Sequence, residues 1–334
     1  MDGIIIINKE KGYTSHDAVY KIKKMFNTKV GHTGTLDPNA TGVLPILLGK
    51  GTKLSKYLIE HDKEYEVLLQ LGTKTTTADE EGEEVEKKCV PEQYLQFKNI
   101  EKILKSFIGE SQQVPPMYSA IKVNGKKLYE YARKGQQVEI KPRNIEIYDI
   151  ELIKVNKEEK QMQFKVRCSK GTYIRTLCEN IAEEMQTVGY MKELKRTKVG
   201  KFTIEQAITI EQLKEGQNIK VITIEEMFED KEKIQLEDDD IKLLLNGVKL
   251  KKEKQDGIYK IYSKTNKFIG YLPDVPEYYG YMTPHEYLKL CGEITNMKKS
   301  DIKKKSEELL ELVGLSNYKK RKISKFSRGM KQRL

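Results

Sequence analysis

Between residues 31 and 45 the chain reads Gly31-His32-Thr33-Gly34-Thr35-Leu36-Asp37-Pro38-Asn39-Ala40-Thr41-Gly42-Val43-Leu44-Pro45, a stretch that restricts the backbone more tightly than any other. Its glycines permit dihedral angles and close approaches that other residues cannot reach. Pro38 confines Asp37 to extended backbone, which pre-orients the carboxylate. The apolar residues Val43, Leu44, Ile46, Leu47 and Leu48 then tie the segment into a core. A stiff loop carrying one carboxylate suits a reactive site, because such groups are displayed on loops held by a rigid scaffold. Composition alone also allows an ordinary turn in which Asp37 caps its own backbone.

Around this loop the apolar periodicity predicts a mixture of element types. Gly3 to Asn8 reads as a buried strand. Ser15 is placed to cap a helix over His16–Phe26, with Ala18, Val19, Ile22, Met25 and Phe26 on one face. Gly31 to Pro45 reads as loop. Tyr65 to Leu71 alternates as a strand that Thr73–Thr77 can extend, and the acidic Ala78–Lys88 reads as a solvated loop. Helical spacing follows over Ile100–Phe107 and over Thr172–Met185, with neighbouring strands at Ile145–Val155 and Met162–Cys168. Strands and helices mix without a βαβ rhythm, which points to an α+β fold. Beyond the charged run Glu229–Asp240, short β-like runs at Gly257–Tyr262 and Phe268–Gly270, with a turn at Leu245-Asn246-Gly247, suggest a small β appendage.

The 334 residues carry a net charge of +11, which favours a polyanionic partner because each phosphate neutralised releases a counterion. No apolar run is long enough to span a bilayer, and Ile4–Ile7 is too short for a secretion signal, so a cytoplasmic protein is expected. The four cysteines form no C-x-x-C pair, which argues for reduced structural thiols over a zinc site or disulfides. Gly49-Lys50-Gly51-Thr52 imitates a phosphate loop, but its spacing is wrong and Gly51 stands at the Ser/Thr position.

Residues 31–45 resemble the catalytic loop of TruB-type tRNA pseudouridine synthases, whose pattern is G-H-T-G-x-L-D-P-x-A-x-G-x-L-P. Further segments match in order: Ile7-Asn8-Lys9-Glu10-Lys11-Gly12, with Glu10 where proline is usual; Tyr65-Glu66 with Leu71-Gly72-Thr73, Thr77, Asp79 and Gly82; and Pro116–Gly125 with Leu128-Tyr129 and Ala132–Gly135. Cys168–Leu177 and Leu194-Lys195-Arg196-Thr197 complete the set. The resemblance covers about residues 3–270. It implies a pseudouridine synthase fold, a mixed and mainly antiparallel sheet flanked by helices, with a catalytic domain over 1–235. An RNA-gripping insertion is expected at about 113–141 and a partial PUA-like β module over 236–270. It implies isomerisation of a tRNA uridine, at position 55 in the T loop, with no metal or cofactor, by a monomer that needs no protein partner and no membrane.

The resemblance also assigns roles. Asp37 is the essential carboxylate, and Arg175 pairs with it and keeps it ionised, since an opposite charge lowers a carboxylate pKa. Tyr65 and Tyr173 stack on a flipped base, with Tyr65 able to relay a proton, and Leu194 packs beside that base. His32 fills the gap that the target nucleotide leaves. Lys9, Lys122, Lys126, Lys127 and Arg133 serve substrate binding, the last four beside Tyr118, Tyr129 and Tyr131 in the insertion.

From about residue 269 to 334 the chain resembles the helical subdomain of an ABC-transporter ATPase. Asp274 stands at the Q-loop position, and Ser327-Arg328-Gly329-Met330-Lys331-Gln332-Arg333 resembles the signature motif. Ser300 is placed to cap a helix that Gly314 ends. No Walker A sequence precedes this fragment, so residues 271–334 are expected to be a stranded piece without ATPase activity.

Overall fold

Four consecutive isoleucines require a strand buried on both faces, and β1 (Gly3–Lys9) is one, with Ile4 to Ile7 at most 2% exposed. Its outer edge is not left open: Ile4 N–H donates to the Ile222 carbonyl and Asn8 N–H to the Ile208 carbonyl, both at 2.8 Å. The computed structural model describes residues 1–59, 61–245, 257–272, 282–294, 297, 299–326, 330 and 334. They divide into two compact units, Met1–Ile224 and Glu225–Leu334.

In the first unit β1 leads to α1 (Ser15–Phe26), β2 (Val30–His32), β3 (Thr41–Leu48), α2 (Ser55–Ile59) and β4 (Lys63–Leu71). The two-stranded pair β5 (Thr73–Thr75) and β6 (Glu84–Lys87) follows, then α3 (Phe97–Ser106) and β7 (Gly109–Gln113). A small hairpin, β8 (Lys122–Val123) and β9 (Lys126–Lys127), runs into α4 (Leu128–Ala132). Next come β10 (Arg143–Asn156), β11 (Gln161–Cys168), α5 (Ile174–Glu184), β12 (Gly189–Val199), β13 (Phe202–Thr203) and α6 (Ile210–Lys214). One nine-stranded sheet has the order β1-β3-β12-β4-β11-β10-β7, with β2 on β3 and β13 on β12. Its described pairings are antiparallel except that between β12 and β3, where Lys195 faces Thr41 and Arg196 faces Gly42. Apolar side chains of α1, α3 and α5, among them Ile22, Leu104 and Ile181, share one core with Leu44, Leu69 and Phe164 of the sheet.

Several expectations change once this sheet is in place. Thr14, not Ser15, caps α1: its hydroxyl accepts from Asp17 N–H while the Asp17 carboxylate accepts from Thr14 N–H, a capping box. Ser15 is buried and bonds elsewhere. The segment expected to be loop from Gly31 to Pro45 ends inside β3, because the neighbouring β1 and β2 supply partners on both sides. Pro45 is tolerated there, its carbonyl still accepting from Thr33 N–H at 3.3 Å. The acidic stretch expected to be a solvated loop forms β6 over Glu84–Lys87, exposed along its whole length. The chain also runs through β12 as a central strand that the periodicity did not announce.

The second unit opens around α7 (Ile224–Met227) and contains β14 (Lys233–Leu236), α8 (Asp238–Leu245), β15 (Tyr259–Ser263) and β16 (Phe268–Leu272). The strands form a three-stranded sheet over a core of Leu236, Ile241, Tyr259 and Ile261. Helices α9 (Pro284–Ile294) and α10 (Lys299–Leu312) follow, and Gly314, at φ +67°, ends α10 as expected. α10 starts a residue before Ser300, whose hydroxyl meets Asp301 at 3.0 Å. The Asn246-Gly247 turn, Asp274, and Ser327–Gly329 with Lys331–Arg333 lie outside the described residues.

β12 approaches β3 so closely that a Cβ at Gly42 would lie 2.2 Å from the Arg196 carbonyl oxygen, and Gly42 has φ +104°. Gly42→Ala is therefore expected to cost at least about 2 kcal/mol of stability. Urea unfolding measures this directly, and a loss below about 0.5 kcal/mol, the usual size for a harmless surface change, would contradict the packing described.

Candidate active site

The loop between β2 and β3 is held by groups that reach its backbone. Ser15 Oγ donates to the Leu36 carbonyl at 3.1 Å and accepts from Leu36 N–H at 2.9 Å. Lys9, fully buried at the end of β1, donates to the carbonyls of Glu10, Tyr13 and Pro38 at 3.0, 2.6 and 3.0 Å. From the other side Arg196 of β12, 1% exposed, donates through Nε to Val43 and through Nη2 to Gly34, both carbonyls at 2.8 Å. The side chains of Leu36 and Ala40 enter the main core, leaving Asp37 between them to face outward. Its own carbonyl closes a turn with Ala40 N–H at 3.1 Å.

Arg175, on the first turn of α5, gathers three segments. Its Nε lies 3.1 Å from Asp37 Oδ2 and its Nη1 3.6 Å from Asp79 Oδ2. Nη2 donates to the Tyr118 carbonyl at 2.8 Å and Nη1 to the Thr77 carbonyl at 3.3 Å. The start of α5 is fixed by Gln113 at the end of β7, whose amide accepts from Tyr173 N–H at 2.7 Å and donates to the Tyr173 carbonyl at 3.0 Å. A pocket opens over this arrangement, lined by Asp37, Tyr65, Tyr173, Arg175, Met191 and Leu194 among others.

The Arg175 side chain is 6% exposed, whereas that of Asp37 is 37% exposed at the mouth of the pocket. Burial of its surroundings pushes the Asp37 carboxyl above its ordinary pKa, Arg175 and Lys9 pull it down, and Asp79 adds to the rise. The expected ion pair with Arg175 is present and lowers the pKa, but desolvation outweighs it. Tyr65 is 7% exposed, and burial pushes its phenol up to about 12 while Arg196, hydrogen-bonded to it, draws it down. It is a neutral phenol in ordinary conditions. Burial also brings Lys9 down to about 8, with Asp37 opposing that shift.

Asp37, Tyr65, Tyr173, Arg175 and Leu194, singled out from the sequence, thus meet in one pocket. Lys9 does not join them at a surface; it lies beneath the loop, its ammonium taken by three carbonyls. His32 ends β2, half-buried, with Nδ1 lacking a hydrogen-bond partner among the described residues; burial and then Arg196 lower its pKa and keep it neutral. Lys122 and Lys126 are exposed on the β8–β9 hairpin. The Lys127 ammonium and the Arg133 guanidinium lie 5.2 and 5.4 Å from the Tyr129 ring centroid, so that ring already has cations for company.

Three residues that shape the site were not among those singled out for it: Asp79, Arg196, and Ser15, which was expected only as a helix cap. Asp79 accepts from Thr77 Oγ1 and from Glu81 N–H, which aims its other oxygen at Arg175. A spacing of two between Thr77 and Asp79 is a turn signal visible in the sequence. Nothing in the pattern of β12 marks Arg196 as buried.

Two family models match the chain. "TruB family pseudouridylate synthase (N terminal domain)" covers residues 22–174, and "tRNA pseudouridylate synthase B C-terminal domain" covers 175–232. Neither is a model of an ATP-binding protein. The chain is 46% identical over 278 residues to the tRNA pseudouridine synthase B of Clostridium kluyveri, covering 81% of this chain and 94% of that one. It is 39% identical over 300 residues to the Bacillus cereus enzyme of the same name, covering 86% and 97%. Among solved structures, a Cbf5-Nop10-Gar1 complex matches with TM-score 0.58 at 27% identity over 80% of this chain and 77% of that one. An H/ACA RNP bound to a substrate RNA containing 2'-deoxyuridine matches with TM-score 0.57 at 25% identity over 80% and 77%.

The competition between burial and Arg175 can be read directly. In carboxyl-carbon NMR, Asp37 is expected to titrate above the ordinary aspartate value of about 3.9. Arg175→Gln removes the strongest downward pull and should move it further up. A titration at or below the ordinary value in the native protein would contradict this balance.

Proposed function

The chain belongs to the TruB family of pseudouridylate synthases, and we propose that it converts a tRNA uridine, at position 55 in the T loop, to pseudouridine at the pocket built on Asp37. The reaction breaks the bond from ribose C1′ to N1 of the base, turns the base and forms a bond from C1′ to C5. The hydrogen displaced from C5 is balanced by one gained at N1, so the isomerisation itself consumes no reductant and no water. An ionised carboxylate can serve by attacking C1′ or by taking a proton at C2′, and both routes need Asp37 to face the sugar with its charge exposed.

The observation that carries this reading is the Asp37–Arg175 pair in a pocket walled by Tyr65, Tyr173 and Leu194. Arg175 keeps the carboxylate oriented and ionised against the pull of burial. Tyr65 and Tyr173 supply aromatic surface for an unstacked base and Leu194 an apolar wall. In this reading the Tyr65 hydroxyl passes a proton during rejoining. His32, neutral and at the loop's edge, fills the space that the base vacates. Lys122, Lys126, Lys127 and Arg133 carry the RNA backbone, and the Tyr118 carbonyl links their insertion to Arg175.

In this reading the catalytic domain spans 1–235 and the sheet of β14, β15 and β16 belongs to a partial PUA-like module over 236–270. The protein acts as a cytoplasmic monomer on free tRNA, without a metal, a cofactor or a partner protein. No helix among the described residues is long and apolar enough to cross a membrane. Residues 271–334, which resemble an ATPase subdomain, take no part.

Asp37→Asn is expected to reduce single-turnover pseudouridine formation by at least about 10⁴-fold while changing tRNA affinity less than about threefold, since phosphate pairing and base stacking supply the affinity. Turnover near that of the native protein would remove Asp37 from the chemistry. Lys122→Ala with Lys126→Ala should lower the slope of log affinity against log salt by roughly 1.4 to 1.8, about 0.7 to 0.9 for each phosphate no longer neutralised. An unchanged slope would remove these lysines from the RNA surface. A chain ending at Leu272, which keeps β16 whole, should modify tRNA at the native rate, and the full chain should release no phosphate from ATP. ATP hydrolysis, or loss of modification in a folded truncated chain, would overturn the reading of the tail.

A further inference from the structure

Arg196 is among the largest fully buried side chains of the protein, and its buried position is expensive. A guanidinium taken out of water costs several kcal/mol unless its donors and its charge are both answered. Here the donors are answered by two carbonyls and the Tyr65 phenol, none of them a carboxylate. An apolar side chain at this place in β12 would pack at lower cost. The fold alone therefore gives no reason for an arginine here, which directs attention to what its partners do.

Those partners bracket the reactive loop. Gly34 precedes Asp37 and Val43 follows it, so one planar group fixes both ends of the segment that carries the carboxylate. In the sheet, Arg196 faces Gly42 of β3 on one side and Tyr65 of β4 on the other. A Cβ at Gly34 would lie 3.4 Å from Arg196 Nη1, so the loop backbone runs close against the guanidinium. The guanidinium's third partner is the Tyr65 phenol, which itself lines the pocket.

We infer that Arg196 is a positioning residue for the isomerisation, holding the Asp37 loop and the Tyr65 hydroxyl in one rigid geometry around the bound nucleotide. The inference rests on the reaction proposed above. Arg196 acts on Asp37 through position: the charges that shift the Asp37 carboxyl are Arg175, Asp79 and Lys9, whereas Arg196 acts on Lys9, His32 and Tyr65. A misplacement near 1 Å of a reacting group costs about 10²-fold in rate, which sets the scale of the effect.

The test compares the native protein with Arg196→Met and Arg196→Lys in single-turnover reactions with unmodified tRNA, alongside circular dichroism and tRNA binding. Lysine keeps the charge but cannot reach two carbonyls and a phenol in fixed planar directions. The expected result is folded protein, affinity within about threefold, and a rate constant lowered about 10²-fold in Arg196→Met and by less in Arg196→Lys. A purely structural arginine would instead lower the amplitude, by unfolding a fraction of molecules, and leave the rate constant of the remainder unchanged. If Arg196→Met does not fold, Arg196→Lys decides by the same separation of rate constant from amplitude. A native rate constant in Arg196→Lys, or in a folded Arg196→Met, overturns this inference alone. A native protein that forms no pseudouridine overturns the proposed reaction and this inference with it.

Discussion

Two buried cations grip the backbone of one loop from opposite sides, and the rest of the site depends on that grip. Lys9 ties the Pro38 carbonyl, next to Asp37, to the carbonyls of Glu10 and Tyr13 in its own turn, and Arg196 gives two hydrogen bonds to carbonyls at either end of the loop. Carbonyl oxygens answer the donors but only partly answer the charge, so each cation is a cost that the surrounding sheet must carry. What the cost secures is a backbone with little freedom of its own. One glycine follows from this arrangement: β12 could not approach Gly42 if that residue bore a side chain, whereas Gly34 is called for by its φ of +69°.

A stiff loop lets the electrostatics of Asp37 be set by fixed neighbours. Burial and Asp79 push its carboxyl up, and Arg175 and Lys9 pull it down. Desolvation outweighs the two cations, so the carboxyl sits above its ordinary pKa, a direction that raises the basicity of a carboxylate that must act on a sugar. Tyr65 beside it stays protonated because burial outweighs Arg196. Burial likewise disfavours the reactive thiolate of the buried cysteines, raising the Cys168 thiol to about 12 and the Cys178 thiol further still.

The pieces legible in the sequence were those governed by local rules. The isoleucine run of β1, the face of α1 and the alternation of β4 each follow from a period that neighbouring residues share. The pocket residues were named because their motifs resemble a family, and the structure brings Asp37, Tyr65, Tyr173, Arg175 and Leu194 together. What escaped was non-local. β12 has the composition of an exposed strand, with Lys192, Glu193, Lys195 and Lys198 among its residues, and its register shifts at Met191/Glu193 and at Arg196/Lys198 break simple alternation. Arg196 therefore looks like one more surface charge until its partners in β3 and β4 are known. Lys9 misled in the same way, since nothing nearby in sequence shows that the Pro38 carbonyl, 29 residues on, will close over it. Ser15 read as a helix cap because the competing Thr14–Asp17 box and the distant Leu36 could not be weighed together.

The central claim is that this pocket turns a uridine of tRNA into pseudouridine. The direct measurement is to incubate the 334-residue chain with an unmodified tRNA transcript, with no added metal, nucleotide or protein, and to map pseudouridine along the product. One new pseudouridine is expected, in the T loop at position 55, formed to near completion. A transcript left unmodified by folded, tRNA-binding protein, or modified only outside the T loop, would contradict it.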